Sequence, residues 1–382
     1  MSQLSSIKPL QMVDLHGQYL QVADEINQAI QSVIDQTAFI NGAEVKDFAR
    51  SLAQYNAVEH VIPCGNGTDA LQLAMMALQL QPGDEVIVPT WTYVATVEVI
   101  ALLGLKPVFV DADPNSFNLD TGAIEALISP KTKAIVPVHL YGQCAHMEPL
   151  LKLATEKGLY VIEDTAQALG ADYLFSGQQK QKAGTLGTVG TTSFFPSKNL
   201  GCYGDGGALL THNSELANTL KAMANHGQFE KYHHDLIGVN SRLDSLQAAI
   251  LNVKLKQLDN YTAKRQQAAK WYDQMLAEVE AIQIPERVAY STHVFHQYTI
   301  KVKDGKRDAL RDFLKEKEVP SMIYYPVPLH LQKAYSTYGY EKGDFPVAEA
   351  LSGEVLSLPI HTELEEAQVA YVAEQIKSFF HG

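Results

Sequence analysis

From His60 to Gln167, apolar segments of strand length alternate with longer segments whose apolar residues recur at helical spacing. This alternation restricts the folds open to the chain more than any other feature. H-V-I-P-C (60–64), P-G-D-E-V-I-V-P (82–89, a turn and a strand), K-P-V-F-V-D-A-D (106–113), T-K-A-I-V-P-V-H-L-Y-G (132–142) and L-Y-V-I-E-D-T-A-Q (159–167) read as strands. Residues 70–78, 90–104, 121–128 and 147–157 read as the helices between them. Strands joined through helices run parallel with right-handed crossovers, so an α/β fold is expected, its mostly parallel sheet covered by helices on both faces. Ligands of such sheets gather outside the carboxyl ends of the strands. On that rule Trp91, His139, Asp164 and Gln167, each at or just past a strand end, are expected to face one crevice.

The flanks extend this pattern. Residues 14–36 place Val22, Ile26, Ile30 and Val33/Ile34 on one helical face, and Val45–Tyr55 does the same with Phe48 and Leu52. A strand at 208–211, a helix at 214–225, a long polar loop at 226–244 and a helix at 243–278 follow the central block. Strand-like 295–303 and 321–325 around a helical 307–317 form a smaller α+β unit. At about 150 residues per domain, the 382-residue chain is expected to divide into a large unit, 1–250, and a connector helix with a small carboxyl-terminal domain, 251–382.

Composition narrows the function classes. A hydrophobic share of 46% supports a sizeable core, and a net charge of −13 argues against nucleic-acid or anionic-membrane partners. Three scattered cysteines, Cys64, Cys144 and Cys202, lack zinc spacing and leave one over from any pairing, as in a reducing compartment. No apolar run is long enough to span a membrane, and residues 1–10 lack a leader's apolar core, so a cytoplasmic location is expected. His226, His233 and His234 show no zinc arrangement, so no metal is expected.

Chemistry concentrates in S-F-F-P-S-K-N-L-G-C-Y-G-D-G-G, 193–207, where Lys198 sits among apolar residues and glycines. An apolar wall lowers an amine's proton affinity, and small neighbours let a flat group approach. A lysine in a phosphate-binding turn is the plain alternative. In G-N-G-T-D (65–69) a strand, a glycine turn and a helix start aim backbone N–H groups at an anion, with Thr68 adding a hydroxyl or simply capping the helix. Asp164 ends an apolar strand, where a carboxylate calls for a cation. Pyridoxal phosphate satisfies all three: its ring nitrogen would meet Asp164, its aldehyde Lys198, and its phosphate Gly67, Thr68 and Ser193, with Trp91 offering a face for stacking.

Five blocks in order, G-N-G-T-D-A-L, P-T-W-T-Y-V-A-T, V-I-E-D-T-A-Q-A-L-G-A, S-F-F-P-S-K-N-L-G-C-Y-G-D-G-G-A and G-V-N-S-R-L-D-S-L-Q-A-A-I-L, closely resemble the DegT/DnrJ-type sugar-nucleotide aminotransferases. The resemblance implies the type I fold of pyridoxal-phosphate (PLP) enzymes. It implies Lys198 as the Schiff-base lysine, Asp164 against the ring nitrogen, Gln167 on the ring hydroxyl, and Gly67, Thr68 and Ser193 on the phosphate. It also implies a homodimer with shared sites, in which Asn240 reaches the neighbouring subunit's phosphate, Arg242 lies near the nucleotide-sugar, and Tyr324 and Tyr325 touch substrate. Many members carry histidine where this chain has Tyr324. The implied reaction moves the amino group of L-glutamate through the pyridoxamine (PMP) form of the cofactor to a keto-sugar on a nucleotide diphosphate. C3 of UDP-2-acetamido-2-deoxy-3-oxo-glucuronate, for surface polysaccharide of the lipopolysaccharide type, is the leading substrate; L-H-L-Q-K-A-Y (329–335) points instead to dTDP-3-keto-6-deoxyhexoses, and a 4-keto-sugar is a further alternative. A dehydrating relative would replace Lys198 with histidine; the other classes are a non-catalytic regulator on the same fold and a dehydrogenase, against which P-C-G-N-G-T-D lacks the full G-x-G-x-x-G pattern.

Overall fold

The computed structural model of the protein describes residues 8–381; residues 1–7, part of the stretch read for a leader, lie outside the described residues. Seven strands, His60–Cys64 (β1), Glu85–Pro89 (β2), Lys106–Val110 (β3), Thr132–Ile135 (β4), Tyr160–Asp164 (β5), Val189–Ser193 (β6) and Gly207–Thr211 (β7), form the central sheet in the order β1-β7-β6-β5-β4-β2-β3. The pairs β3/β2, β2/β4, β4/β5 and β5/β6 are parallel, and β7 alone runs against its neighbours β6 and β1. Side chains alternate across the sheet with period two. Val86 and Val88 accordingly enter a core with Ile100, Val136, Ile162 and the helix Gly67–Ala77, while Ile87 enters the opposite one with Val108, Ile135, Met147 and Leu150. Both faces are thus dry, which is why the parallel strands read as unbroken apolar runs.

A second core surrounds a three-stranded antiparallel sheet of Ile282–Gln283, Tyr298–Val302 and Val355–Leu358, packed by helices Leu258–Leu276, Arg307–Glu316 and Glu366–His381. On helix Leu258–Leu276, Leu258 packs with Phe48, Leu52 and Leu251 beside the central sheet, and Ala268 is the helix's first residue in this separate core. Leu329, Tyr335, Phe345, Ala348 and Leu351, although late in sequence, return to the first core. Among the described residues no helix is long and apolar enough to cross a membrane.

Several elements differ from the sequence-based expectation, each where tertiary packing overrides local pattern. The segment 14–36 breaks into Leu15–Leu20 and Ala23–Gln36, letting Val22 and Ile26 bury against Ile250 and Val253. The connector breaks into Ser245–Leu255 and Leu258–Leu276: the first helix packs against two amino-terminal helices, the second turns its stripe Ala268, Tyr272 and Leu276 into the second core. The polar loop carries a two-stranded hairpin, Gln228–Glu230 with His233–His234. Residues 321–325 make only a single bridge, Met322 with Ser357, because the chain is drawn off toward the first core. The strand expected at 295–303 starts at Tyr298; before it Phe295 takes φ 48° and the backbone nitrogens of Phe295 and His296 approach Gly142 so closely that a Cβ there would lie 2.9 Å from each.

Candidate active site

A cavity of about 680 Å³ opens at the carboxyl ends of β1, β5 and β6, its far wall supplied by 296–297 and 324–325. Gly67, Thr68, Asp164, Gln167, Ser193, Lys198, Tyr324 and Tyr325 all line it. Its floor begins where β1 turns into helix Gly67–Ala77. Asn66 caps that helix, its Oδ1 accepting from Asp69 N at 2.8 Å and its carbonyl from Ala70 N at 3.1 Å. These bonds leave the N–H groups of Gly67 and Thr68 without a protein acceptor among the described residues. A Cβ on Gly67 would lie 2.8 Å from the Ser193 Cβ, so only glycine lets the helix end sit against β6. The result is a donor-lined notch at the positive end of a helix dipole.

Asp164, at the end of β5, is 7% exposed. Its Oδ2 accepts from the Thr96 hydroxyl at 3.0 Å and its Oδ1 from Ala166 N at 3.1 Å. Both donors are neutral, and no protein cation lies within ion-pair distance among the described residues. A carboxylate this buried is costly without a positive partner. Lys198 follows the S-F-F-P-S turn, its backbone N–H donating to the Phe195 carbonyl at 2.8 Å. Burial pushes its amine down to about 8, against an opposing pull from the Asp164 charge. The same charge-through-space effect ties the two groups to one site. Gln167 is fixed at both ends: Oε1 accepts from Tyr141 N at 2.8 Å and Nε2 donates to the Tyr325 hydroxyl at 3.0 Å. Burial raises the Tyr325 phenol, which therefore stays protonated.

Two crevice residues expected from the sequence lie elsewhere. Trp91 is 1% exposed, packs edge-on to Phe117 and Tyr141, and donates from Nε1 to the Tyr325 carbonyl at 3.1 Å; it supports the wall from behind and offers no face to the cavity. In this stretch the aromatic residue that does line the cavity is Tyr93, two positions on, with its ring 6.2 Å from that of Tyr325. His139 is wholly buried, donating from Nε2 to Glu163 at 2.9 Å and accepting from Ala145 N at Nδ1; the carboxylate's other partners are the N–H groups of Gly184, Leu186 and Gly187. That pair holds the loop behind β5. Asn240 is exposed and Arg242 half-buried, with its Nη1 3.5 Å from the Asn225 Oδ1; neither lines this chain's cavity. Sequence reasoning passed over Tyr93, Tyr141, Asp205, His296 and Gln297, all on the wall. The F-H-Q run was legible only as a strand.

A profile of the DegT/DnrJ/EryC1/StrS aminotransferase family matches residues 21–377. The chain belongs to this family. This aminotransferase is 47% identical over 371 residues to a Pleiotropic regulatory protein of Geobacillus stearothermophilus, covering 97% of this chain and 98% of the relative. It is 44% identical to the UDP-N-acetyl-3-dehydro-alpha-D-glucosamine 3-aminotransferase of Acidithiobacillus ferrooxidans, covering 97% and 98%. It is equally, 44%, identical to the UDP-2-acetamido-2-deoxy-3-oxo-D-glucuronate aminotransferase of Pseudomonas aeruginosa, covering 95% and 98%. Among solved structures, a family aminotransferase from Brucella abortus superposes with a TM-score of 0.92 at 40% identity, covering 97% of this chain and 99% of that one. NtdA from Bacillus subtilis with bound cofactor PMP gives 0.90 at 30%, covering 99% and 86%. The aminotransferase thus has the fold of the PLP-dependent enzymes, as its sequence implied.

Proposed function

We propose that this aminotransferase holds pyridoxal 5'-phosphate in the cavity and moves the amino group of L-glutamate onto C3 of a UDP-linked 2-acetamido-2-deoxy-3-oxo sugar, the glucuronate being the leading candidate. One observation carries the reading: an unpaired amine lowered to about 8, a buried carboxylate without a cation, and two free N–H groups at a helix start share one cavity. The residues fit the cofactor group by group. Gly67, Thr68 and Ser193 would take the phosphate, Asp164 the protonated ring nitrogen, Gln167 the ring hydroxyl and Lys198 the aldehyde carbon; of the two aromatic residues in W-T-Y, Tyr93 and not Trp91 would stack on the ring. When bound, the cofactor draws electrons from the reacting carbon and carries the amino group between the two substrates.

The chain's residues do the rest. An amine at about 8 is about one-quarter neutral at pH 7.5, where one at 10.5 would be about 0.1% neutral. Lys198 Nζ can therefore accept the proton of the donor's α-carbon at working pH and would pass it to the C4′ carbon of the bound cofactor; in the second half-reaction it would move a proton the other way, from C4′ to the sugar carbon. Gln167 and Tyr325 lock each other and hold their side of the cavity rigid. A homodimer, in which Asn240 and Arg242 reach the neighbouring cavity, would account for two polar residues of the matching blocks standing outside their own; the location is cytoplasmic and the product feeds surface polysaccharide. C3 as acceptor position follows the two 44% relatives named for 3-oxo-sugar substrates, and glutamate as donor follows the resemblance carried by the five sequence blocks. The relative named as a regulator supports a second reading, which the combination of Lys198, Asp164 and Gln167 on one cavity disfavours.

The test is incubation of PLP-loaded protein with glutamate and a panel of UDP- and dTDP-linked 3- and 4-keto-sugars, following 2-oxoglutarate release. Turnover of UDP-3-oxo sugars is expected. Reaction only with 4-keto-sugars would remove the C3 assignment, and failure to take an amino group from any donor would remove the enzyme reading.

A further inference from the structure

His296 lines the cavity on the wall supplied by 296–297. It is 7% exposed, and Nδ1 is fully buried with no hydrogen-bond partner among the described residues. Nε2 likewise has no protein partner among the described residues, so what access the ring retains opens on the cavity it lines. Burial, with the nearby charges of Lys198 and Arg265, holds the imidazole well below its ordinary proton affinity, so the ring is neutral. A buried lone pair without a partner is tolerated better than a buried N–H without one. The proton therefore belongs on Nε2, and the ring offers a neutral N–H to whatever occupies the cavity.

The backbone is fixed accordingly. Arg265, 2% exposed and without a carboxylate partner among the described residues, donates from Nη1 to the carbonyls of Phe295 at 3.1 Å, His296 at 3.5 Å and Ile360 at 3.0 Å. Gln297, also on the cavity wall, donates from its backbone N–H to the Tyr141 carbonyl at 3.2 Å. Close approach to Gly142 closes the third side. A buried guanidinium spent on carbonyls shows how firmly this turn is held, and its product is two side chains with N–H donors, His296 and Gln297, beside Lys198.

We infer that His296, with Gln297 next to it, binds the carboxylate attached to the reacting carbon of the amino-acid donor. The assignment rests on the aminotransferase reading. In an amino acid the carboxylate is one bond from the carbon whose proton Lys198 removes, so its binding group must stand beside Lys198, as His296 does. This chain's own part of the wall holds no arginine; its charged groups are Lys198 and the carboxylates Asp69, Asp164 and Asp205, of which the last three repel a carboxylate, and the arginine a second copy would add, Arg242, would be taken by the nucleotide-sugar. Neutral N–H donors on a rigid backbone bind an anion without adding a charge that would compete with Lys198 for Asp164. The keto-sugar has no carboxylate on its reacting carbon, so the two half-reactions should depend on His296 unequally.

The experiment compares wild type with His296→Phe and the rescue variant His296→Gln in the separate half-reactions, by rapid mixing of PLP-loaded protein with L-glutamate and of PMP-loaded protein with the UDP-3-oxo sugar. A hydrogen bond to a charged group contributes ~1.5–3 kcal/mol, so H296F should raise the glutamate concentration for half-maximal rate by about 10- to 150-fold. The sugar half-reaction should stay within about two-fold, and H296Q should recover most of the glutamate loss. Calorimetric binding of 2-oxoglutarate to the PMP form should weaken in parallel, a readout independent of turnover. Equal losses in both half-reactions, or unchanged glutamate and 2-oxoglutarate affinity, would overturn the assignment. If H296F fails to fold, His296→Ala judged by the same binding measurement decides. Wild-type protein unable to accept an amino group from glutamate would instead indict the functional reading itself.

Discussion

Substituting Gly67 by alanine tests the anion notch with a single methyl group. The new Cβ would lie 2.8 Å from the Ser193 Cβ and 3.4 Å from its Cα. Ordinary carbon contacts begin near 3.5 Å, so the helix start must withdraw from β6 by about 0.7 Å, and the opposing atoms belong to a central strand, with no flexible tip to yield. Folding stability should fall by about 0–2.5 kcal/mol, since alanine in a helix gains about 0.5–1 kcal/mol over glycine against about 1–3 kcal/mol of overpacking. Cofactor affinity should fall as a separate effect. The Gly67 and Thr68 N–H groups and the Ser193 hydroxyl converge only if the helix end touches the strand, and losing one charge-assisted bond contributes ~1.5–3 kcal/mol, about 10- to 150-fold in Kd. Titrating cofactor-free protein with pyridoxal phosphate by absorbance, alongside melting of the cofactor-free form, separates the two effects. A G67A protein that binds the cofactor as tightly as wild type, with an unchanged melting temperature, would refute the notch as the phosphate site.

Two further outcomes follow from the same geometry. In cofactor-free protein, acylation of Lys198 followed by peptide mass spectrometry should rise with pH through a midpoint near 8, as the amine loses its proton; Asp164→Asn, which removes the charge that favours the ammonium form, should move that midpoint lower, and a midpoint near 10 in wild type would contradict the buried amine. Trp91→Phe should act on stability, lowering the melting temperature through the lost Tyr325 carbonyl bond and packing, while Tyr93→Ala should leave melting nearly unchanged and weaken cofactor binding or turnover; the reverse pattern would restore Trp91 to the cavity.

The sheet was legible because strands dry on both faces leave unbroken apolar runs, and Val86–Ile87–Val88 could hardly be anything else. Lys198, Asp164 and Gly67 were legible because each breaks a local rule: an amine among apolar neighbours, a carboxylate ending a buried strand, a glycine opening a helix. In P-T-W-T-Y the choice between Trp91 and Tyr93 was not, since a loop has no period to assign faces. It is settled by a carbonyl 234 residues away that accepts from the indole. His296 was hidden for a related reason: its neighbours Gly142, Lys198 and Arg265 come from three separate stretches, and no spacing rule joins them.

The Arg265 clamp also sets where the chain can tolerate a change of length. One added residue between His293 and Gln297 would put a different carbonyl on the guanidinium and swing the imidazole away from the cavity, even though the insertion touched neither strand nor helix. The turn at Asp304–Gly305, where nothing stands within 4 Å of a Cβ placed on Gly305, has no such anchor and should accept extra residues, a tag or a fused domain without disturbing the pocket.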